Sequence, residues 1–235
     1  QELDIDVVNM GVAGYGTDQE YLTIRDGFRY DPDIILVGLH AGSDIDDNNA
    51  NVRYSYPKPQ FVLDDNELQL TNVPVPLKKD WEARAYENEP LYRRIDRFLQ
   101  HLRSYSFVRT GLLRFDFIRN TIIGWEGKQQ NKSLDVTKAL LVELKNYAAA
   151  KHARLMVVVI PTRNQVAGGD IGINSELVLA MQKNGIVTVD LLPIFKNETR
   201  DLYFRIDPHW NALGNKIAAE TIALKMNELR WVSSN

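Results

Sequence analysis

The stretch Ile34-Ile35-Leu36-Val37-Gly38-Leu39, followed by His40-Ala41-Gly42-Ser43-Asp44, decides the fold of this 235-residue chain. A short, almost continuous apolar run that ends in polar and glycine residues is typical of a strand covered on both faces. The runs from Leu155 to Ile160 and from Ile186 to Leu192 repeat this pattern, and Ile5 to Val12 is a further β-rich run. The sequence therefore predicts four strands, three of them buried.

Helical patterns lie between and after these strands. They run over Asp18 to Phe28, Leu134 to Ala150, Ser175 to Asn184 and Ala212 to Leu229, with Gly185 as the expected C-cap of the third helix. Strands that alternate with helices predict a parallel sheet with right-handed crossovers. In such a sheet the functional residues gather at the carboxyl ends of the strands, so the residues after each strand are the candidates for a site.

Length and composition predict one domain, residues 1–235, with a large insertion. The chain has 44% hydrophobic and 25% charged residues, which suits a full-sized core. The stretch from about 48 to 131 breaks the alternation of strands and helices. Its first part contains four prolines and should be extended and irregular, whereas Pro90 to Ile123 has the spacing of an amphipathic helix. We interpret this insertion as a segment packed over the edge of the site.

Charge and residue content exclude several classes of function. The net charge of -3 gives no general attraction to nucleic acids, so nucleic-acid binding is not expected. No apolar run has the length that spans a bilayer, and no metal or cofactor site is predicted, because the four histidines are far apart and the chain has no cysteine. A small molecule or a neutral polymer is the expected ligand.

Two loops after predicted strands could bind a developing negative charge. Gly14 and Gly16 follow the first strand and precede a helix, so their amides could donate to an oxyanion, although the glycines could equally serve a tight turn. Ser43 follows the second strand as a possible nucleophile or donor, or as a hydroxyl that caps the next turn. His40 beside it is a second base or a core histidine.

Asp207 and His209 form the most specific pair in the chain. They stand two residues apart, after the last strand and just before the last helix. An aspartate that accepts the Nδ1 proton of a histidine leaves Nε2 free to take a proton from a nucleophile. The alternative is that Asp207 caps the helix and His209 is a surface residue. The position at the expected active edge favours the catalytic interpretation.

Three blocks together resemble the SGNH or GDSL superfamily of serine hydrolases. The segment from Asn9 to Glu20 resembles the second conserved block of that family, Pro32 to Asp44 its third, and Asp207 to Asn211 its last. The resemblance covers the chain except for the insertion. It is more specific than any single motif, because the blocks occur in the right order at strand ends.

The resemblance implies a three-layer α/β/α, flavodoxin-like fold and acyl-ester hydrolysis or acyl transfer by a serine nucleophile. It implies that His209 is the base, Asp207 its orienting acid and the Gly14 amide an oxyanion donor. Ser43 stands where the family has an asparagine, so a hydroxyl would replace an amide as the second donor. The Asp-x-His-Trp form resembles a bacterial branch of polysaccharide O-acetyl-transferring and deacetylating proteins. That branch implies a carbohydrate ester as substrate and favours an extracytoplasmic or periplasmic location.

The family's Gly-Asp-Ser block, which carries the nucleophile, is not found between Gln1 and Asn235. We expect the nucleophile upstream of Gln1, because an acid and base pair that is kept intact needs one. The rival hypothesis is a degenerate member that binds a carbohydrate or a protein partner without hydrolysis. A nucleotide-binding flavodoxin-like protein is a third, and it would need a phosphate loop that Gly11 to Thr17 does not supply.

Overall fold

A computed structural model describes residues 5–27, 29–81 and 116–232, the last range with side chains from Lys132 onward. Most of the amphipathic helix predicted from Pro90 to Ile123, and with it much of the second part of the insertion, lies outside the described residues. Among the described residues no helix is both long and apolar enough to cross a membrane.

The described elements alternate between helices and strands on either side of two hairpins. In chain order they are α1 (Thr17–Gly27), β1 (Ile34–His40), α2 (Asp44–Asn48), β2 (Val52–Arg53), β3 (Tyr56–Pro57), β4 (Gln60–Asp64), β5 (Glu67–Thr71), α3 (Asp116–Ala150), β6 (Arg154–Ile160), α4 (Arg163–Val166), α5 (Gly172–Lys183), β7 (Val187–Asp190), α6 (Leu192–Asn197) and α7 (Ala212–Glu228). The four predicted helices are confirmed, the second as the end of the longer α3. Gly185 takes a left-handed φ of 64° after α5, as expected of a C-cap glycine.

A parallel sheet of three strands forms the centre, in the order β1-β6-β7. Val37 pairs with Val157 and Val157 with Thr188, so the strands are in register from end to end. The three buried strands predicted from the sequence are confirmed as parallel neighbours. Their carboxyl ends bring the segments after His40, Ile160 and Asp190 to one edge, which we call the carboxyl edge.

Helices cover both faces of the sheet and give it three layers. On one face, Leu39 and Val157 pack with Leu140 of α3 and Leu177 of α5, all of which are fully buried. On the other face, strand residues of β6 and β7 pack with Phe195 of α6 and with α7. The α/β/α fold class predicted from the sequence is confirmed.

The predicted strand from Ile5 to Val12 is wrong. These residues form no ladder, and Val7 and Val8 are 76% and 56% exposed. A strand exists only where a neighbour accepts and donates its backbone hydrogen bonds, and within the described residues β1 pairs only with β6. The residue types of this segment indicate β propensity, but they do not supply a neighbouring strand with which the segment can pair.

The first part of the insertion is more regular than the prolines predict. It forms two antiparallel hairpins, β2–β3 and β4–β5. The second hairpin turns at Asp65 and Asn66, both with positive φ, and buries Phe61 against Tyr21 of α1 at 5.9 Å between ring centroids. The prolines lie at strand ends or between strands, where no ladder donor is needed. The boundaries of the insertion, about 48 to 131, remain a prediction.

Candidate active site

The Asp207 and His209 pair lies on a short loop between α6 and α7. The base of the loop is closed by a bridge between Tyr203 and Trp210 and by the Phe204 amide, which donates to the His209 carbonyl at 3.0 Å. The Trp210 ring packs on Phe195 of the core at 5.1 Å between centroids. The loop is therefore anchored at its base while its tip extends from the carboxyl edge.

The two side chains of the pair are bonded to each other. Asp207 Oδ1 accepts the His209 backbone N–H at 2.8 Å and also contacts His209 Nδ1. With the proton on Nδ1, the imidazole donates to the carboxylate, and Nε2 keeps its lone pair. The side chains are 55% and 82% exposed, so Nε2 can be reached from solvent. This is the geometry that a base and its orienting acid require.

Asp207 is held in its charged form. The backbone N–H of His209, followed by the imidazole, lowers the pKa of Asp207 below its usual value. A carboxylate that stays ionised at neutral pH can stabilise the imidazolium that forms when the base takes up a proton.

Asn211, rather than Asp207, caps the last helix. Its Oδ1 accepts the amides of Leu213 and Gly214 at 2.9 and 3.0 Å, and its Nδ2 donates to the Asp201 carbonyl at 2.6 Å. The capping alternative for Asp207 is therefore wrong. One asparagine side chain links the start of the loop to the start of α7.

Arg163 holds the loop from the other side. Its guanidinium donates to the carbonyls of Phe204 and Arg205, and it lies 5.6 Å from the centroid of the Tyr203 ring. The Tyr203 hydroxyl in turn donates to the Pro161 carbonyl at 2.8 Å. The turn after β6 thus carries an arginine clamp, which we define as Arg163 with its bonds to Phe204 and Arg205.

Ser43 is part of a hydrogen-bond network at the end of β1. Its hydroxyl lies 2.9 Å from His40 Nδ1 and donates to Asp44 Oδ1 at 3.1 Å, while Asp44 Oδ2 accepts the His40 backbone N–H at 2.7 Å. Ser43 stands at the N-cap of α2 but forms no capping bond with its side chain. The hydroxyl is thus held between His40 and Asp44, and its single proton must turn from Asp44 to reach a bound oxyanion.

Burial and neighbouring charges shift the pKa values of Asp44 and His40 in this network. Burial raises the pKa of Asp44 to about 6, although the His40 amide and the Ser43 hydroxyl oppose the shift. Burial also lowers the pKa of His40, and the electrostatic interaction with His209 lowers it further.

Gly14 and Gly16 lie in the loop before α1. Gly14 has a φ of +82°, which only glycine adopts readily, and a side chain there would collide with the Tyr54 ring. A Cβ at Gly16 would lie 2.9 Å from Asn48 Oδ1, so this loop packs directly on α2. The tight-turn interpretation of the glycines fits these observations, and the oxyanion role of the Gly14 amide stays a prediction.

A cluster of buried polar residues supports the loop that contains Gly14 and Gly16, which we call the glycine loop. Asp18 forms an ion pair with Lys58, and both side chains are almost completely buried. Asn48, also fully buried, accepts the Asp18 amide at 3.0 Å and donates to Thr137 of α3 at 2.9 Å. The cluster joins α1, α2 and α3 beneath the site.

Sequence reasoning missed four residues that shape this edge: Tyr54, Lys58, Arg163 and Asn211. Asn211 had a recognisable signal, since an asparagine directly before a helical pattern is a common N-cap. Arg163 follows β6 at the carboxyl edge, where side chains are candidates by position. Lys58 and Tyr54 had no signal, because both lie in the insertion and reach the site only through the folding of the hairpins.

A model of the family described as "SGNH hydrolase-like domain, acetyltransferase AlgX" matches residues 124–235. The matched region contains α3 from its third turn onward, β6, β7, the arginine clamp and the Asp207 and His209 pair. No curated protein and no solved structure matches the chain. In the part of the chain that the structure describes, no group of three or more acidic or histidine side chains could hold a metal ion. The matched region, together with the three-layer fold, supports assignment of residues 124–235 to the SGNH hydrolase superfamily.

Proposed function

We propose that the chain is part of a serine esterase that acts on acyl esters, with O-acetylated carbohydrate as the expected substrate class. An SGNH hydrolase-like domain indicates acyl esterase or acetyltransferase chemistry in general terms. The observation that carries the more specific proposal is the bond between Asp207 Oδ1 and His209 Nδ1, on a loop whose other imidazole nitrogen is open to solvent.

In the proposed mechanism, His209 Nε2 takes the proton of a serine hydroxyl as its oxygen attacks the acyl carbon. Asp207 stabilises the resulting imidazolium, and the proton then passes to the leaving alcohol. The Gly14 amide and the Ser43 hydroxyl bind the oxyanion of the tetrahedral intermediate. The nucleophile is the serine that sequence analysis predicts ahead of Gln1.

The test is His209→Ala in the complete protein, assayed with short-chain aryl esters. We expect kcat to fall by about a thousandfold or more, because the nucleophile loses its base. The matched control is His152→Asn, which removes an exposed imidazole at the opposite edge of the sheet and keeps the left-handed φ of 57° that asparagine tolerates. Unchanged turnover in His209→Ala would contradict the proposal.

The binding-only alternative keeps the same fold and lacks the nucleophile, and the contact between His209 and Asp207 is compatible with either function. A serine-directed fluorophosphonate probe separates the two functions on the full-length protein. Covalent labelling that is lost in His209→Ala supports the esterase, whereas saccharide binding without labelling supports a carbohydrate-binding domain.

A further inference from the structure

Tyr54 occupies an unusual turn at the tip of the β2–β3 hairpin. Tyr54 and Ser55 both have positive φ, at 48° and 62°, so the strands are joined by a two-residue turn of the type that favours Asn-Gly. A bulky aromatic residue rarely adopts a left-handed backbone, and such outliers cluster at functional sites. An Asn-Gly pair would suit this turn better, but it would carry no aromatic ring.

The Tyr54 ring lies against the glycine loop. It contacts the backbone at Gly14 so closely that no side chain fits there. The Arg53 guanidinium lies 4.6 Å from the ring centroid and is itself held at 2.7 Å by Asp47 Oδ1, a buried carboxylate of α2. Two anchored groups therefore fix the position of the ring.

Tyr54 nevertheless remains largely exposed. Tyr54 is 69% exposed, and it stands next to the loop whose amide we assign to the oxyanion. The flat Tyr54 ring, with its phenol hydroxyl and the Arg53 guanidinium beside it, suits a ring-shaped polar ligand better than an alkyl chain, which is bound by aliphatic pockets.

We infer that Tyr54 is the residue that binds the sugar ring of the substrate. The inference rests on the proposed esterase function and extends it to the alcohol side of the ester. The apolar C–H face of a saccharide stacks on the Tyr54 ring, and its acylated hydroxyl then points towards the Gly14 amide. Tyr54 determines which alcohol is accepted, and it takes no part in proton transfer.

The test compares two esters on the full-length protein: 6-O-acetylglucose, which has a sugar ring, and 4-nitrophenyl acetate, which has none. The variant is Tyr54→Asn, because asparagine keeps the left-handed turn and removes the ring. We expect KM for the acetylated sugar to rise about tenfold, which corresponds to 1.4 kcal/mol. KM for 4-nitrophenyl acetate should rise much less than KM for the sugar ester, because this ester has no sugar ring to stack, and Tyr54→Phe should retain sugar-ester binding.

The matched control is Tyr56→Ala, which removes an exposed ring on the same hairpin. We expect it to leave both KM values unchanged. The inference is overturned if Tyr54→Asn leaves KM for the sugar ester unchanged, impairs both esters equally, or behaves like Tyr56→Ala.

Failure of the proposed esterase function can be distinguished from failure of the inference about Tyr54. If the wild-type protein cleaves neither ester, the proposed function fails, and saturation-transfer NMR with the non-acetylated disaccharide cellobiose still decides the role of Tyr54. Saturation transfer to the sugar ring protons that is present in wild type and lost in Tyr54→Asn supports the inference. Equal transfer in both proteins, or none in wild type, overturns it.

Discussion

At the scale of single residues, a few buried polar side chains support the structure beneath the candidate site. Lys58 and Asp18 form an ion pair with almost no exposure, and burial alone raises the pKa of Asp18, which Lys58 opposes. A buried pair of this kind is weak evidence of net stabilisation, but removal of one partner leaves the other charge uncompensated. The glycine loop is therefore sensitive to a residue more than thirty positions away.

At this scale we predict that Lys58→Met lowers the free energy of unfolding by about 3–5 kcal/mol, because Asp18 keeps its burial and loses its counter-charge. Urea denaturation followed by circular dichroism measures the loss. The double variant Lys58→Met with Asp18→Asn should recover part of it, since the charge is then gone. Lys196→Met removes an exposed lysine and should have almost no effect. Equal urea midpoints for Lys58→Met and wild type would contradict the prediction.

At the scale of elements, the loop that carries Asp207 and His209, which we call the dyad loop, is positioned by neighbouring elements as well as by its own residues. The arginine clamp reaches from the turn after β6 to two loop carbonyls, and Asn211 ties the loop to α7. Gly214 lets α7 approach, because a Cβ there would lie 2.5 Å from the Leu202 carbonyl oxygen. Two turns and a helix start thus determine where His209 lies.

We expect Arg163→Ala to lower kcat by about ten- to a hundredfold, because a loop displaced by about 1 Å misaligns the base. The change should leave the unfolding midpoint nearly unchanged, since Arg163 is exposed. Ester turnover and thermal unfolding of the same preparations provide the measurement. Arg200→Ala removes an exposed arginine that pairs with Glu198 at the start of the same loop and takes no part in the arginine clamp, and it should retain full activity. A similar decrease of kcat in both variants would disprove a specific role for the clamp.

The elements that the sequence predicts well are those with strong local patterns. The apolar runs of β1, β6 and β7 and the helix starts at Thr17 and Ala212 come directly from residue type and spacing. The run from Ile5 to Val12 shows the limit, since pairing depends on a neighbouring strand that local propensity does not supply.

The contacts of the candidate site likewise divide into those that the local sequence predicts and those that it does not. The Asp207 and His209 pair is two residues apart, so its hydrogen bond was predictable from local sequence. The contacts of Ser43 were only half predictable, because its bonds to His40 and Asp44 are local but the choice between capping and network bonding depends on α2. Tyr54 reaches Gly14 across 40 residues, and no local pattern encodes such a contact.

At the scale of the whole molecule, several carboxyl groups are buried close together near the carboxyl edge. Burial raises the pKa of Glu20 to about 8, and Asp44 and Asp18 add their repulsion. Among the residues that the structure describes, Glu20 Oε2 is buried and has no hydrogen-bond partner. The folded chain therefore binds this proton more tightly than the unfolded chain does. The stability that Glu20 contributes is present below its ordinary pKa of 4.5 and is lost as the pH rises through about 8.

We predict that Glu20→Gln has a Tm close to that of wild type near pH 4.5 and a higher Tm at pH 8 to 9, because glutamine imitates the protonated acid at every pH. Differential scanning calorimetry across this window measures the difference. Glu67→Gln removes an exposed carboxylate of β5, and its Tm difference from wild type should not vary with pH. A Glu20→Gln difference that shrinks as the pH rises would show that the sign is wrong.

The open tip of the dyad loop has a consequence for the fate of the acyl group. Ile206 is 96% exposed and the His209 side chain 82% exposed, so an acyl group that is held beside this imidazole is in contact with bulk solvent. In the proposed mechanism, water and a second sugar then compete as acceptors, and the imidazole can activate either. The exposure of this tip therefore bears on the ratio of acyl loss to acyl transfer, without any change in the proposed catalytic pair.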